Sequence, residues 1–129
     1  MEKGYLIDTS VVIGYLDNKI PLQGMRFLHP VVDAIPYISV ITNIEVLKFD
    51  ASNDVYKTLT DFINESAILD LNDMVVDTTI SICKAHYIKL PNAVIAATAL
   101  VHNLTLITRN IPDFENICGL KLLNPWDYS

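Results

Sequence analysis

The chain has 129 residues, one domain's worth, and reads as a single unit over positions 1–129. AVILMFWYC residues make up 51% of it and charged residues only 19%, which excludes a disordered polymer, a collagen-like repeat and a basic nucleic-acid arm. Nine Lys and Arg against 15 Asp and Glu leave a net charge of −6, so any contact with RNA or DNA must rest on local cations or on a bridging metal ion.

Tyr5-Leu6-Ile7 is a short apolar run that ends in Asp8-Thr9-Ser10, three residues able to cap a helix, and Val11 to Leu16 reads as that helix. Pro21 and Gly24 mark a loop, Met25 to Ala34 a helix interrupted near Pro30, and Pro36 to Val40 a second buried strand. Thr42 can cap the next helix, with Glu45 three positions on in capping-box spacing. Between Asp54 and Asn64, Val55, Leu59, Phe62 and Ile63 fall on one helical face. Ala67 to Leu69 is a third strand, Asn72-Asp73 opens a helix running to about Tyr87, and Leu90-Pro91-Asn92 breaks it. From Ala93 the run AVIAATALV is apolar nearly all round, as befits a helix enclosed by the domain. Leu104 to Ile107 is a fourth strand, Thr108 to Phe114 a loop or short helix, and Leu120 to Leu123 a fifth strand before Asn124-Pro125-Trp126. Short apolar runs separated by helices describe an α/β domain with a parallel sheet covered on both faces.

Cys83 and Cys118 form no C-x-x-C pair and have no His at ligand spacing, so two reduced thiols are expected rather than zinc or a disulfide. The opening Met1-Glu2-Lys3-Gly4 lacks the basic start of a signal peptide, and the apolar run Ala93 to Val101 is too short to cross a bilayer. The expectation is a cytoplasmic protein with no membrane contact.

In an open α/β sheet, ligands collect outside the carboxyl ends of the strands, so the residues just after each strand carry the functional information. Asp8 follows the first, Glu45 lies soon after the second, Asn92 opens the buried helix, and Asp113 follows the fourth beside Thr108 and Asn110. Each has a structural role open to it as well: Asp8 as a cap, Glu45 as half of a capping box, Asn92 as a helix opening after Pro91, Asp113 as a turn acid. Three carboxylates and an amide converging on one point require a cation between them, and oxygen ligands in that number suit Mg²⁺ or Mn²⁺. Lys48, Lys84, Lys89 and Arg109 are the basic residues near these positions, and Arg109 is the best candidate for a phosphate contact. Tyr5, Tyr15, Tyr37, Phe49, Phe62, Phe114 and Trp126 read mostly as core, without the basic–aromatic interleaving of a stacking platform.

The segments YLIDTSVVIGYL, ISVITNIEVL, KLPNAVIAATALVHNLTLITRN and IPDF, in that order and spacing, resemble the PIN-domain proteins, and among them the VapC-type toxins of toxin–antitoxin pairs. The resemblance covers essentially the whole chain. It implies a three-layer α/β/α sandwich with a short, mainly parallel sheet, and metal-dependent hydrolysis of RNA with Mg²⁺ or Mn²⁺. It further implies a cognate antitoxin, an RNA substrate and a homodimer. Carried onto this sequence, Asp8, Glu45 and Asp113 become metal-binding acids, with Ser10, Thr108 and Asn110 in support. The departure is at position 92, where the family pattern K-L-P-D-A has Asp and this chain has Asn92. An amide holds the shape but loses one negative charge, so the site is expected to bind metal less tightly and to activate water poorly. A catalytically impaired PIN-like binding or regulatory module is the alternative.

Other classes fit less well. His29, His86 and His102 accompany no nucleophile motif, and Asp8-Thr9-Ser10 is not a G-x-S-x-G elbow. A phosphoacceptor receiver would place paired acids after its first strand and a lysine after its last. Here Asp8 stands alone, Asp70 invites the comparison, and Lys121 begins the final strand.

Overall fold

A computed structural model describes residues 4–128, so the reading of Met1 to Lys3 falls outside the described residues. The elements follow in chain order as β1 (Tyr5–Ile7), α1 (Thr9–Leu16), α2 (Leu22–Asp33), β2 (Tyr37–Ser39), α3 (Val40–Leu47) and α4 (Asn53–Asn64). They continue as β3 (Ala67–Leu69), α5 (Asp73–Ala85), α6 (Leu90–Val101), β4 (Thr105–Ile107), α7 (Ile111–Phe114) and β5 (Leu122–Leu123), closed by a 3-10 turn at Pro125–Asp127. All neighbouring strands pair in parallel, in the order β3-β2-β1-β4-β5. The chain therefore builds outward in one direction from β1 and in the other from β4. Between their carboxyl ends lies the crevice where such sheets bind ligands.

Alternation along the strands divides the core into two layers. Leu6 and Leu106 face α5 and α6, packing with Val75, Ile82, Ile95 and Phe114. Ile7, Ile38 and Ile107 face the other way, onto Val11 and Val12 of α1, Leu28 of α2, and Leu59, Phe62 and Ile63 of α4. Every residue of α6 from Ala93 to Thr98 is buried, as is Ala99, matching a helix enclosed on all sides. Its alanines let it lie close to the sheet and to α5 at once. No helix among the described residues is long and apolar enough to cross a membrane.

Several local expectations are corrected. α2 begins at Leu22, so Gly24 lies inside the helix rather than in a loop, and a Cβ there would run into the Pro125 carbonyl and Ile20. Pro30 is accommodated near the end of α2, where its carbonyl still accepts from Ala34 N. α6 starts at Leu90 with Pro91 in its first turn, where the missing N–H has no helical partner to lose, so Asn92 sits within that turn instead of following a break. Ser39, not Thr42, caps α3: its Oγ accepts from Thr42 N at 3.1 Å. Tyr37 and Phe49 lie on the surface, at 39% and 52% exposure, rather than in the core.

Candidate functional site

β1 ends at Asp8, whose extended backbone (φ −72°, ψ 157°) makes it the N-cap of α1. Its N–H donates to Ile107 O at 2.9 Å, tying the ends of β1 and β4 together at the crevice. The side chain is only 4% exposed. Thr9 N donates to Oδ1 at 2.8 Å, while Thr108 Oγ1 at 2.7 Å and Ser10 Oγ at 3.3 Å donate to Oδ2. Burial pushes this carboxyl above its ordinary pKa; the Thr108 hydroxyl, the Thr9 amide and the Ser10 hydroxyl pull it part of the way back, and Glu45 nearby pushes it up again. Capping α1 therefore accounts for one oxygen only. The second is held by hydroxyls in a place where a charge is costly.

Glu45 lies on α3, half-buried, and is released from any capping role because Ser39 caps that helix. Its Oε1 accepts from Thr9 Oγ1 at 2.6 Å, and Thr9 Oγ1 also lies 3.1 Å from Thr42 Oγ1. Thr9 thus joins the two carboxylates, its amide on Asp8 and its hydroxyl on Glu45. Thr108 is fully buried and also accepts from Asn110 N at 3.0 Å, which shapes the turn after β4.

Asn92, half-buried, and Asp113, exposed on α7, line one 630 Å³ cleft together with residues of the α5–α6 loop. The structure therefore joins Asp8, Ser10, Thr108 and Glu45 in one network and Asn92 with Asp113 in one cleft. Among the described residues no three acids, histidines or cysteines form a ready-made ligand cluster. Arg109, exposed after β4, holds its guanidinium over the Trp126 ring, 4.7 Å from the centroid.

The donor set fits a hard cation of the Mg²⁺ class. All the groups are oxygens, and the buried Asp8 carboxylate beside Glu45 is a negative pair that a cation would relieve. Mg²⁺ commonly binds through one or two carboxylates and keeps several waters, so an open site with two adjacent acids suits it without a closed shell of three. Sequence reading missed Thr9 as the link between the two acids, and the contact spans 36 positions, with no local signal to mark it. On the α5–α6 loop the sequence marks Lys89 as a basic residue near the site, whereas Tyr87 was missed because it matches no motif.

Comparison with known proteins places this geometry in a family. None of the curated proteins compared with the chain matches it. A structure described as a toxin–antitoxin complex from Klebsiella pneumoniae is 26% identical, covering 95% of this chain and 98% of its own, with a TM-score of 0.74. DNA-bound VapBC from Salmonella typhimurium is 23% identical over 96% of this chain and 99% of its own, TM-score 0.80. VapBC2 from Rickettsia felis, bound to a promoter DNA fragment, is 23% identical over 93% and 97%, TM-score 0.76. The PIN domain model matches residues 5–120, from the first residue of β1 to just short of β5, and the chain belongs to the PIN-domain family.

Proposed function

We propose that this chain is a metal-dependent endoribonuclease, the toxin of a toxin–antitoxin pair, with activity weakened by Asn92. The observation that carries the reading is the buried Asp8 carboxylate, held by three donors at the β1/β4 crevice and linked through Thr9 to Glu45. A carboxylate kept there at an electrostatic cost makes sense as a cation ligand. Asp8 and Glu45 would hold Mg²⁺ or Mn²⁺, with Asp113 on α7 as the further acid of the set. Such an ion supplies Lewis acidity and charge neutralisation at a phosphodiester. Thr108 and Ser10 fix the Asp8 carboxylate, Thr9 fixes Glu45, Asn110 shapes the turn before Asp113, and Arg109 meets a substrate phosphate. Asn92 offers an oxygen or an N–H but accepts no proton from an attacking water.

The structural relative described as a toxin–antitoxin complex, together with the two described as VapBC bound to DNA, supports an antitoxin partner. The groove between α1 and α4, lined by Ile13, Leu16, Phe49, Val55 and Leu59, gives such a partner an apolar seat. An antitoxin arginine would match the acidic site with its planar fork. Exposed Val76 and Ile80, one turn apart on α5, would give a homodimer an apolar contact. Cys83 and Cys118 are unpaired, in keeping with action on cytoplasmic RNA.

The test compares the chain with Asn92→Asp on a mixed single-stranded RNA pool, with Mn²⁺ and with EDTA. Restoring the carboxylate should raise metal-dependent cleavage by about 10²–10⁴, the range of general acid–base help. Asn92 itself favours one second reading, a binding module that no longer cuts. An inert Asn92→Asp protein that still binds RNA or antitoxin would establish it, and full-rate cutting by the Asn92 form would refute the role given to this position.

A further inference from the structure

The cleft that holds Asn92 and Asp113 has a second wall, formed by the α5–α6 loop and by Asn116 after α7. On that loop Tyr87 is 110% exposed, more open than a tyrosine in an extended peptide, so nothing among the described residues covers either face of its ring. His86 and Lys89 line the same cleft, and among the described residues no carboxylate forms an ion pair with Lys89. The cleft lining sets one carboxylate, Asp113, against the Lys89 ammonium, so on a protein of net charge −6 it is a local exception, with a bare aromatic ring on its rim. At 630 Å³ the cleft falls within the range of about 300–1,000 Å³ typical of small-ligand sites.

We infer that Tyr87, Lys89 and Asn116 form a nucleotide subsite for single-stranded RNA. The Tyr87 ring stacks on one unpaired base, the Lys89 ammonium meets the adjoining phosphate, and the Asn116 amide contacts the base edge. An unstacked base is required, since a ring open on both faces offers nothing to a base already stacked in a duplex. Because Asn92 and Asp113 line the same cleft, the subsite adjoins that side of the candidate site. This inference rests on the ribonuclease reading and adds where the substrate is gripped.

The experiment measures anisotropy of a 5′-labelled, mixed-sequence single-stranded RNA decamer with the full chain in EDTA and low salt. Tyr87→Ala should raise Kd by about 5- to 150-fold, the range for losing one base–aromatic stack, while Tyr87→Trp stays within about threefold of the parent. Lys89→Gln should weaken binding and lower the salt slope by about one. Equal affinity for the parent, Tyr87→Ala and Lys89→Gln overturns the subsite. If Asn92→Asp cleaves RNA and Tyr87→Ala leaves its affinity unchanged, the subsite falls while the ribonuclease reading stands; if neither the parent nor Asn92→Asp binds or cleaves RNA, both fall.

Discussion

Replacing Thr108 with Val removes one oxygen, keeps the shape and leaves the buried Asp8 carboxylate without its shortest hydrogen bond, 2.7 Å long. A bond to a buried charged group contributes about 1.5–3 kcal/mol, and Asn110 N also loses its acceptor, though its exposed position lets water replace it. The expected loss of stability at neutral pH is therefore about 2–3 kcal/mol. For a domain of this size that lowers Tm by about 6–15 °C. The sign of the pH dependence follows from Asp8. Its folded-state pKa is already raised by burial, and the Thr108 hydroxyl is the strongest group holding it down, so Thr108→Val raises it further. A raised carboxyl destabilises the fold as pH climbs from the unfolded pKa through the folded one, and costs nothing below both. The gap between variant and parent should thus be smallest near about pH 3.5 and widest near about pH 7.5, bracketing the ordinary carboxylate range. Thermal melts at both pH values, repeated in an Asp8→Asn background, complete a double-mutant cycle with an expected coupling of about 1–2 kcal/mol at neutral pH. The same Tm loss at both pH values and in both backgrounds would refute the argument that Thr108 acts on a buried charge.

Thr9→Val breaks the 2.6 Å bond that positions Glu45, so Mn²⁺ affinity measured by calorimetry should fall by about 10- to 100-fold, the usual effect of losing a group that orients a metal ligand. Unchanged affinity would mean Glu45 needs no positioning. Gly14→Ala places a Cβ 2.6 Å from Cη2 of Trp126, the chain's single tryptophan, and should cost about 1–3 kcal/mol in thermal melts with a shift in its fluorescence.

Much of the fold was legible because its strands are short apolar runs bounded by turn residues, as at Tyr5–Ile7 and Ala67–Leu69, and because α6 is apolar on every side. Local signals failed where two readings shared the same residues. Ser39-x-x-Thr42 and Thr42-x-x-Glu45 both have capping spacing, and the end of β2 at Ser39 decides between them. Gly24 reads as a breaker locally, yet its bare backbone is what lets the Pro125 carbonyl approach, a contact between segments about a hundred positions apart. The candidate site shows the same limit. The end of β1 marks Asp8 as worth attention, whereas the Thr9–Glu45 and Thr108–Asp8 bonds join distant segments and become visible only once β1, α3 and β4 are neighbours.

Cation binding at Asp8 bears most directly on the whole account, and Mn²⁺ titration followed by electron paramagnetic resonance measures it without requiring turnover. The parent chain should bind Mn²⁺ weakly, Asn92→Asp at least about tenfold more tightly through the added charge, and Asp8→Asn not measurably. Mn²⁺ binding that survives Asp8→Asn at full strength, or none at all in folded Asn92→Asp, would contradict the claim that this buried carboxylate is held in place for a metal ion.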